Sequence, residues 1–339
     1  MVDLGLVYDL RLPGADAQAR ARQYRTMLEQ AAWADRHGFS RMAVREHHGA
    51  DDGYLPSPLV AAGGVAAVTS TMTILLQALV VTLHDPVRLA EDLAVLDLMS
   101  AGRLVVVAAG GYADDEFAMF GVSAADRPRL VGRAVRVLRQ AWTAEPFELD
   151  GRWVRVTPRP FRSPGPPLLL GGASEAAARR AARVADGFLP VRNRHYGAYQ
   201  RAVADLGRTP PGPLPQAGPP FVYVAEDPER AWSRIAPYCL HESNAYGALA
   251  RRSGVDTGYA EHATTGSLRA SGAYPVLTPD EAVVLCEELG PGGQLTIPPL
   301  VGGMDPDLSW ESLQLLADQV IPRVALTRVD PETYRHSPP

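Results

Sequence analysis

The 339-residue chain contains no lysine, because all 33 of its basic residues are arginine. This absence excludes the enzyme classes that need a lysine amine, namely Schiff-base aldolases, pyridoxal-phosphate enzymes and P-loop NTPases. The compositional bias of a GC-rich genome is enough to explain it, and the exclusions hold whatever its cause.

Cysteine and long apolar runs are also scarce. Only Cys239 and Cys286 are present, far apart, so neither a disulfide framework nor a cysteine-based metal site is indicated. No apolar run reaches the roughly 18 residues of a membrane span, and the first residues lack the basic flank of a signal peptide. We therefore expect a cytoplasmic protein without membrane contacts.

Positive charge is in slight deficit, with a formal net charge of -5. Proteins that bind nucleic acid through its phosphates carry an excess of positive charge instead. We therefore expect no nucleic-acid partner and a small-molecule substrate.

Eight strand–helix units follow one another along the chain. Strands are predicted at residues 4–8, 41–45, 73–81, 104–108, 168–170, 187–191, 221–224 and 294–297. Helices are predicted for seven of these units, at residues 18–37, 57–68, 86–99, 129–142, 175–184, 228–250 and 310–320, and the sixth unit is identified by its strand alone. The series predicts an α/β fold, a (β/α)8 TIM barrel that forms a single domain over residues 1–339. An open doubly wound sheet is the alternative.

Three segments interrupt the barrel pattern. Residues 147–161 alternate apolar and polar around Asp150-Gly151, which predicts an inserted β-hairpin. Residues 209–220 are rich in proline and glycine and are predicted to form a loop. Residues 251–278 lack a clear period and are expected to form a mobile, lid-like segment. A further helix is then predicted at residues 279–289, with Thr278 as its cap.

The stretch from residue 167 to residue 187 is the most informative part of the chain. A short apolar strand runs into Gly171 and Gly172, and after Ala173 and Ser174 an amphipathic helix begins at once. The first N–H groups of a helix lack partners inside it, and its dipole adds partial positive charge. The pattern therefore predicts a turn that binds a phosphate. A capped turn that binds nothing is the alternative.

Two adjacent histidines, His47 and His48, follow the second strand. Reacting groups in a barrel lie at the carboxyl ends of the strands, and a histidine there is suited to general acid or base catalysis. Neighbouring residues of an extended chain face opposite sides, so we expect one imidazole to face the mouth of the barrel. The same spacing argues against a metal site. A purely structural histidine pair is the alternative.

Two further strand ends suit a flat ligand. Gly110 and Gly111 leave room for it against bare backbone, and Tyr112 is placed to stack on it or to hydrogen-bond with it. The amide of Gln77 needs partners if it is buried, and a planar ligand rich in carbonyls and ring nitrogens would supply them, as would the backbone. An ordinary turn is the alternative for residues 110–112.

Taken in order, these motifs resemble those of the bacterial luciferase-like flavin monooxygenase superfamily. The resemblance is carried by Glu-His-His at residues 46–48 and by residues 58–62, 84–92, 96–103, 111–121, 170–174, 186–188 and 299–313. It spans nearly the whole chain and is weakest between residues 192 and 278. The order and spacing of the motifs are specific, whereas no single motif is.

The resemblance implies a (β/α)8 barrel, usually dimeric, that binds reduced FMN or coenzyme F420 at its mouth. His47 would be the acid/base residue near the reactive centre of the flavin, and residues 171–174 would hold the cofactor phosphate. Residues 77–78 would lie where members often have a non-prolyl cis peptide. The expected cofactor contacts are Gln77, Ala78, Gly110, Gly111, Tyr112, Gly171, Gly172, Ala173 and Ser174.

The chain departs from the light-emitting luciferases at one place. Those enzymes have a cysteine and an arginine where this chain has Ala109 and Gly110. Light emission is therefore not expected, and Arg127 or Arg129 is a candidate to replace the missing arginine at the phosphate.

The leading functional hypothesis is a monooxygenase that uses reduced FMN and O2 on a small organic substrate. No G-x-G-x-x-G fingerprint follows a strand, which suits a diffusing flavin delivered by a separate flavin reductase. With coenzyme F420 the same scaffold would be an oxidoreductase that transfers hydride. A non-catalytic flavin-binding protein, and a barrel isomerase or epimerase for phosphorylated sugars, are the alternatives of other classes.

Overall fold

A curled sheet of parallel strands forms the centre of the protein, described for residues 1–336 by a computed structural model. The strands are β1 (Val2–Tyr8), β2 (Arg41–Val44), β3 (Thr73–Val80), β4 (Leu104–Ala109), β5 (Phe147–Leu149), β6 (Arg152–Val154), β7 (Leu168–Gly172), β8 (Gly187–Pro190), β9 (Tyr223–Val224), β10 (Val276–Leu277) and β11 (Gly293–Ile297). Seven of them hydrogen-bond in the order β11-β1-β2-β3-β4-β7-β8. The predicted TIM-barrel fold is confirmed. The predicted domain extends to residue 339, beyond the described residues.

Helices cover the outer face of the sheet. They are α1 (Ala17–Arg36), α2 (Pro58–Val68), α3 (Pro86–Met99), α4 (Asp114–Met119), α5 (Arg127–Ala141), α6 (Glu175–Val184), α7 (Tyr196–Asp205), α8 (Pro228–Ser253), α9 (Thr265–Ala270), α10 (Pro279–Leu289) and α11 (Pro306–Leu315). Within residues 1–336 no helix is both long and apolar enough to cross a membrane.

Local capping residues explain where the best-predicted helices begin. The Asp85 carboxylate accepts the backbone N–H groups of the first turn of α3. Thr278 and Glu281 form a capping box at the start of α10. Each such cap stabilises a helix by about 1 kcal/mol, and proline at the first helical position sacrifices no hydrogen bond. Both helices have the bounds predicted from the sequence.

The inserted hairpin is also confirmed. β5 and β6 pair antiparallel across Asp150 and Gly151. Both of these turn residues have positive φ angles, 50° and 76°. Such angles are required by the two-residue turns whose twist matches that of the strands, and Asp-Gly adopts them readily.

The seventh strand differs from the prediction in its pairing. β9 hydrogen-bonds to the short strand β10, in a separate two-stranded sheet. It is only two residues long and follows the proline-rich loop. The N–H of Val224 donates to Ser312 Oγ of α11 at 2.7 Å, so a helix supplies a partner for this strand.

Two other predicted segments also differ. The helix expected at 310–320 begins earlier, at Pro306, because Asp305 caps it, and it widens into a π-helical turn at Leu316–Val320. Residues 251–278 are not irregular throughout, since they contain the end of α8, all of α9 and β10. A six-residue helix is too short to give a readable hydrophobic period. That this segment is a mobile lid stays a prediction.

Buried apolar side chains form two layers around the sheet. One face of the strands fills the interior of the barrel, and the other face packs against the helices. Because the strands are parallel, their carboxyl ends meet at one mouth, where the following loops come together.

Candidate functional site

A cavity of about 680 Å³ opens at the carboxyl ends of the strands. Its volume is typical of a cofactor or small-ligand site. The structure brings together every residue predicted for the site, because all of them line this cavity: His47, Gln77, Ala78, Gly110, Gly111, Tyr112, Gly171, Gly172, Ala173 and Ser174. The roles assigned to them from the sequence stay predictions.

His47 lies between a carboxylate and a phenol. Its Nδ1 is 2.6 Å from Glu116 Oε1, and its Nε2 is 3.0 Å from the hydroxyl oxygen of Tyr112. An ionised carboxylate can only accept, so Nδ1 carries a proton, and an Nε2 that carries none accepts the Tyr112 hydroxyl. Burial, followed by the charge of Glu116, raises the pKa of Tyr112 to about 12, so this phenol keeps its proton at neutral pH.

His48 has a different environment, and it is His47 of the pair that lines the cavity. His48 Nε2 lies 2.9 Å from Glu46 Oε1, and Glu46 Oε2 accepts the Val80 N–H at 2.6 Å. Burial disfavours the ionised form of Glu46 and so raises its pKa. Hydrogen bonds from His48, His84 and Val80 outweigh this effect, and the pKa of Glu46 lies below its usual value. Glu46 therefore joins the loop after β2 to the end of β3. Among residues 1–336, no group of three or more His, Cys, Asp or Glu side chains is arranged to hold a metal ion.

The ends of β3 and β4 are bare and irregular. The Gln77–Ala78 peptide bond is cis, where the resemblance implied one, and the register of β3 against β4 shifts at this point. Gly111 has a φ of +71°, and a Cβ there would lie 2.9 Å from a methyl carbon of Val80. Glycine is therefore required at this position, where the backbone lies close against Val80 and Phe117.

The turn after β7 presents backbone to the cavity. Ser174 is the N-cap of α6, and its Oγ accepts the Ala177 N–H at 3.2 Å. A Cβ at Gly172 would lie 2.5 Å from the Cβ of Ala177, so the helix approaches the strand too closely for a larger residue. The turn therefore offers free N–H groups and the positive end of a helix dipole to an anion.

Arginines near this turn differ in their availability. Arg127 lines the cavity, but its guanidinium donates to two backbone carbonyls, at 2.9 and 3.2 Å. Arg129, the other predicted candidate, pairs with Asp126 at 3.2 Å and is not among the residues that line the cavity. Arg180 of α6 lines the cavity, and burial together with the charge of Arg183 lowers its pKa. Arg180 is therefore the cation best placed to meet an anion at the turn.

The opposite end of the cavity is built from aromatic side chains. The rings of Tyr246 and Tyr259 stack with their centroids 4.5 Å apart, and the hydroxyl oxygens of Tyr54 and Tyr246 are 2.8 Å apart. Arg45 Nη1 donates to the Tyr246 hydroxyl at 3.1 Å. We call Arg45, Tyr54, Tyr246 and Tyr259 the tyrosine end, and residues 171–174 with Arg180 the glycine end.

A buried network supports the tyrosine end from behind. The Arg11 guanidinium carbon lies 4.5 Å from the ring centroids of both Tyr54 and Tyr246. Arg11 also pairs with Asp52, which is 2.9 Å from His241 of α8. Burial disfavours the ionised form of Asp52 and so raises its pKa. The contacts with His241 and Arg11 outweigh this effect and lower the pKa of Asp52 to about 2. These contacts tie α8 to the loops after β1 and β2, and they fix the tyrosine rings.

Sequence reasoning missed several residues that line the cavity, among them Arg45, Tyr54, Arg180, Tyr246 and Tyr259. Arg45 did carry a signal, because residues two apart in an extended chain face the same side, and it lies two residues before His47. Arg180 is on the helix of the predicted turn. The tyrosines of α8 and the segment after it carried no local signal, since only the tertiary fold brings them to the barrel mouth.

Comparison with known proteins gives one family. The family model described as luciferase-like monooxygenase matches residues 6–282. The alkanal monooxygenase beta chain of Vibrio harveyi is 27% identical over 167 residues, which are 47% of this chain and 50% of that one. The chain spans about half the length of curated relatives such as this one.

Two solved structures show the same fold over nearly the whole chain. The oxygenating constituent of 3,6-diketocamphane monooxygenase from Pseudomonas putida, in complex with FMN, has a TM-score of 0.72 and 20% identity, with 96% of this chain and 99% of that one covered. The coenzyme F420-dependent tetrahydromethanopterin reductase of Methanopyrus kandleri has a TM-score of 0.59 and 18% identity, with 95% and 99% covered.

Proposed function

We propose, from the premise that this chain belongs to the luciferase-like monooxygenase family, that it is a monooxygenase using reduced FMN and O2 to oxygenate a small organic substrate. The family consists of flavin-dependent oxidoreductases and monooxygenases. The observation that supports the finer proposal is that a histidine hydrogen-bonded to a carboxylate and a glycine-rich turn at the start of a helix line the same cavity.

The residues around the cavity fit a flavin phosphate and ring. The N–H groups at the start of α6, the dipole of that helix and Arg180 would hold the phosphate. Gln77, Ala78, Gly110 and Gly111 line the same cavity and would lie beside a flat ring. When bound, reduced FMN supplies the electrons with which O2 is activated.

His47 and Tyr112 would handle the protons of the reaction. Glu116 holds the proton on Nδ1 of His47, which leaves Nε2 to accept a proton from the cavity side through the Tyr112 hydroxyl. The Tyr112 hydroxyl would pass a proton back to the cavity as His47 Nε2 gives one to it, and its raised pKa favours the phenol being reprotonated in this way. Glu116 is a positioning residue in this scheme, and His47 is the acid/base residue.

The tyrosine end would limit the access of water. The stacked rings of Tyr246 and Tyr259 and the nearby residues Val255 and Thr257 line the cavity opposite the glycine end. A dry cavity strengthens the hydrogen bonds made inside it and reduces unproductive loss of activated oxygen.

We also propose the partners expected from the sequence. A separate flavin reductase would supply reduced FMN, the chain would form a homodimer, and it would work in the cytoplasm. The absence of a G-x-G-x-x-G fingerprint after a strand supports the first of these, since that fingerprint marks a built-in nicotinamide site.

Hydride transfer with coenzyme F420 is the second candidate, supported by the likeness in fold to an F420-dependent reductase. Titrating the protein with FMN, reduced FMN and coenzyme F420, with and without O2, separates the two. We expect reduced FMN to bind and to be reoxidised by O2 faster when a substrate is present. Binding of F420 alone would establish the second candidate, and binding of sugar phosphates without any flavin would overturn both.

A further inference from the structure

Arg45 is a cation that lines the cavity, and its hydrogen-bond partner there is a tyrosine. It follows β2 and lies on the same side of the extended chain as His47. Its Nη1 donates to the Tyr246 hydroxyl, and its guanidinium carbon is 5.7 Å from the centroid of that ring. Among residues 1–336, no carboxylate forms an ion pair with Arg45. An unpaired guanidinium in a concave site has the geometry and charge to bind an anion.

The acidic groups nearest to Arg45 are engaged elsewhere. Asp9 accepts hydrogen bonds from the backbone and side chain of Arg11 and from Tyr246. Glu242 accepts the Tyr274 hydroxyl at 2.7 Å, and burial, followed by the charge of Asp9, raises its pKa to about 7. With Arg45, both acids line a separate void of about 10 Å³. Arg45 therefore has these two acids on the side of the small void, without an ion pair to either, and it also lines the main cavity.

The walls next to Arg45 favour a flat molecule. The ring of Tyr54 is 4.8 Å from that of His47, edge to face, and Tyr246 stacks on Tyr259. Arg11 and Tyr259 cover the ring of Tyr246, so the half-buried ring of Tyr259 is the one that remains to attract a planar ligand, at a centroid distance of about 4.5–7 Å. A ring held here would place its polar substituent beside Arg45 and its body beside His47.

We propose that the tyrosine end binds the substrate, and that the substrate is a flat aromatic or conjugated compound whose ionised oxygen, a carboxylate or a phenolate, pairs with Arg45. This inference rests on the proposed function for its link to oxygenation, but the binding that it describes does not require a flavin. Arg45 is accordingly the residue that selects anionic over neutral substrates.

The test compares 2-naphthoate with its neutral counterpart 2-naphthamide, by calorimetric titration of the full chain without flavin. A 4-nitrophenolate arm, above the pKa of that phenol, distinguishes a phenolate site from a carboxylate site. We expect the wild type to bind at least one of the two anions about tenfold or more tightly than naphthamide, as for a hydrogen bond to a charged group. Arg45→Gln should abolish the preference, and Arg45→Lys should keep a reduced one.

Arg230→Gln, an exposed substitution at the start of α8, is the matched control and should keep the full preference. FMN affinity is measured in parallel, so that a failure of the cofactor proposal is seen separately. Equal binding of the anions and the amide by the wild type would overturn the inference, and so would a preference that persists in R45Q. Loss of FMN affinity in R45Q with the preference intact would assign Arg45 to the cofactor instead. If R45Q does not fold, R45K and the wild type carry the comparison.

Discussion

The two ends of the cavity are built in opposite ways. The polar groups of the glycine end come from one continuous stretch, residues 171–174, and from the helix that follows it. The tyrosine end takes its side chains from residues 45 and 54 near β2 and from residues 246 and 259 around the end of α8. One end is backbone and local, whereas the other is side chain and assembled by the fold.

The difference in construction implies a division of labour. Backbone N–H groups and a helix dipole recognise a phosphate whatever molecule carries it. A guanidinium among fixed aromatic rings recognises a particular arrangement of ring and charge. The glycine end is therefore suited to a cofactor shared by many enzymes, and the tyrosine end to a substrate that differs between them. The predictions below test this division, from the largest expected effect to the smallest.

His47 lies between the two ends, and its removal should stop the chemistry without releasing the cofactor. We expect His47→Ala to lower turnover by about 10²–10⁴-fold, the range for loss of a general acid or base. FMN affinity, measured by fluorescence quenching, should stay within about twofold of the wild type. His262→Ala, outside the residues that line the cavity, is the control. Undiminished turnover in H47A would remove the assigned role.

The glycine end should be intolerant of even one added methyl group. Gly172→Ala would place its Cβ 2.5 Å from that of Ala177, and overpacking of this kind costs about 1–3 kcal/mol or displaces the helix start. We expect FMN to bind about 10–100-fold more weakly. Gly132→Ala in α5, where a Cβ meets no atom within 4 Å, is the matched control and should bind FMN normally. Equal FMN affinity in the two variants would contradict a phosphate at this turn.

Substitutions of Arg180 and Arg129 offer a sharper test of phosphate binding at the glycine end. Arg180→Gln should weaken FMN binding by about tenfold, since it removes a charge-assisted hydrogen bond to the phosphate. Riboflavin, which has no phosphate, should be bound equally by R180Q and the wild type. Arg129→Gln should leave both ligands unaffected, because Arg129 pairs with Asp126 instead of lining the cavity. If R180Q lost affinity for FMN and for riboflavin equally, Arg180 would only support the helix.

The sequence was sufficient for those parts of the molecule that local interactions determine. The capped starts of α3 and α10, the Asp-Gly hairpin and the turn at residues 171–174 each depend on residues within a few positions of one another. Strand alternation predicted that one imidazole of the pair faces the barrel mouth, and the choice of His47 came from the family resemblance.

The parts that sequence reasoning missed depend on tertiary contacts. Tyr246 reaches the cavity because α8 is held by the Arg11–Asp52–His241 network, whose members lie far apart in the chain. The pairing of β9 with β10 likewise depends on Ser312 of a distant helix. The spacing of apolar residues in such helices can be recognised in a single sequence. It does not show which of their residues lie at the barrel mouth.

The smallest effect is expected on stability at the tyrosine end, and it depends on pH. Burial, followed by the charge of Asp9, raises the pKa of Glu242 from its usual 4.5 to about 7, so the folded state favours the protonated acid. The stability that protonated Glu242 contributes to the folded state is present at low pH and is lost as the pH rises from about 4.5 through 7. Glu242→Gln keeps an acceptor for the Tyr274 hydroxyl but does not ionise. The melting temperature of E242Q relative to wild type should therefore rise by about 3 °C between pH 5 and pH 8. Glu288→Gln, which is exposed, should show no such trend.

Because an ionised Glu242 partly offsets Arg45, E242Q should also bind 2-naphthoate more tightly than the wild type at pH 8. The difference in melting temperature between E242Q and the wild type could instead be the same at pH 5 and pH 8, with naphthoate binding unchanged. That result would mean that Glu242 is not linked to Arg45, and that the charge of the tyrosine end does not vary with pH.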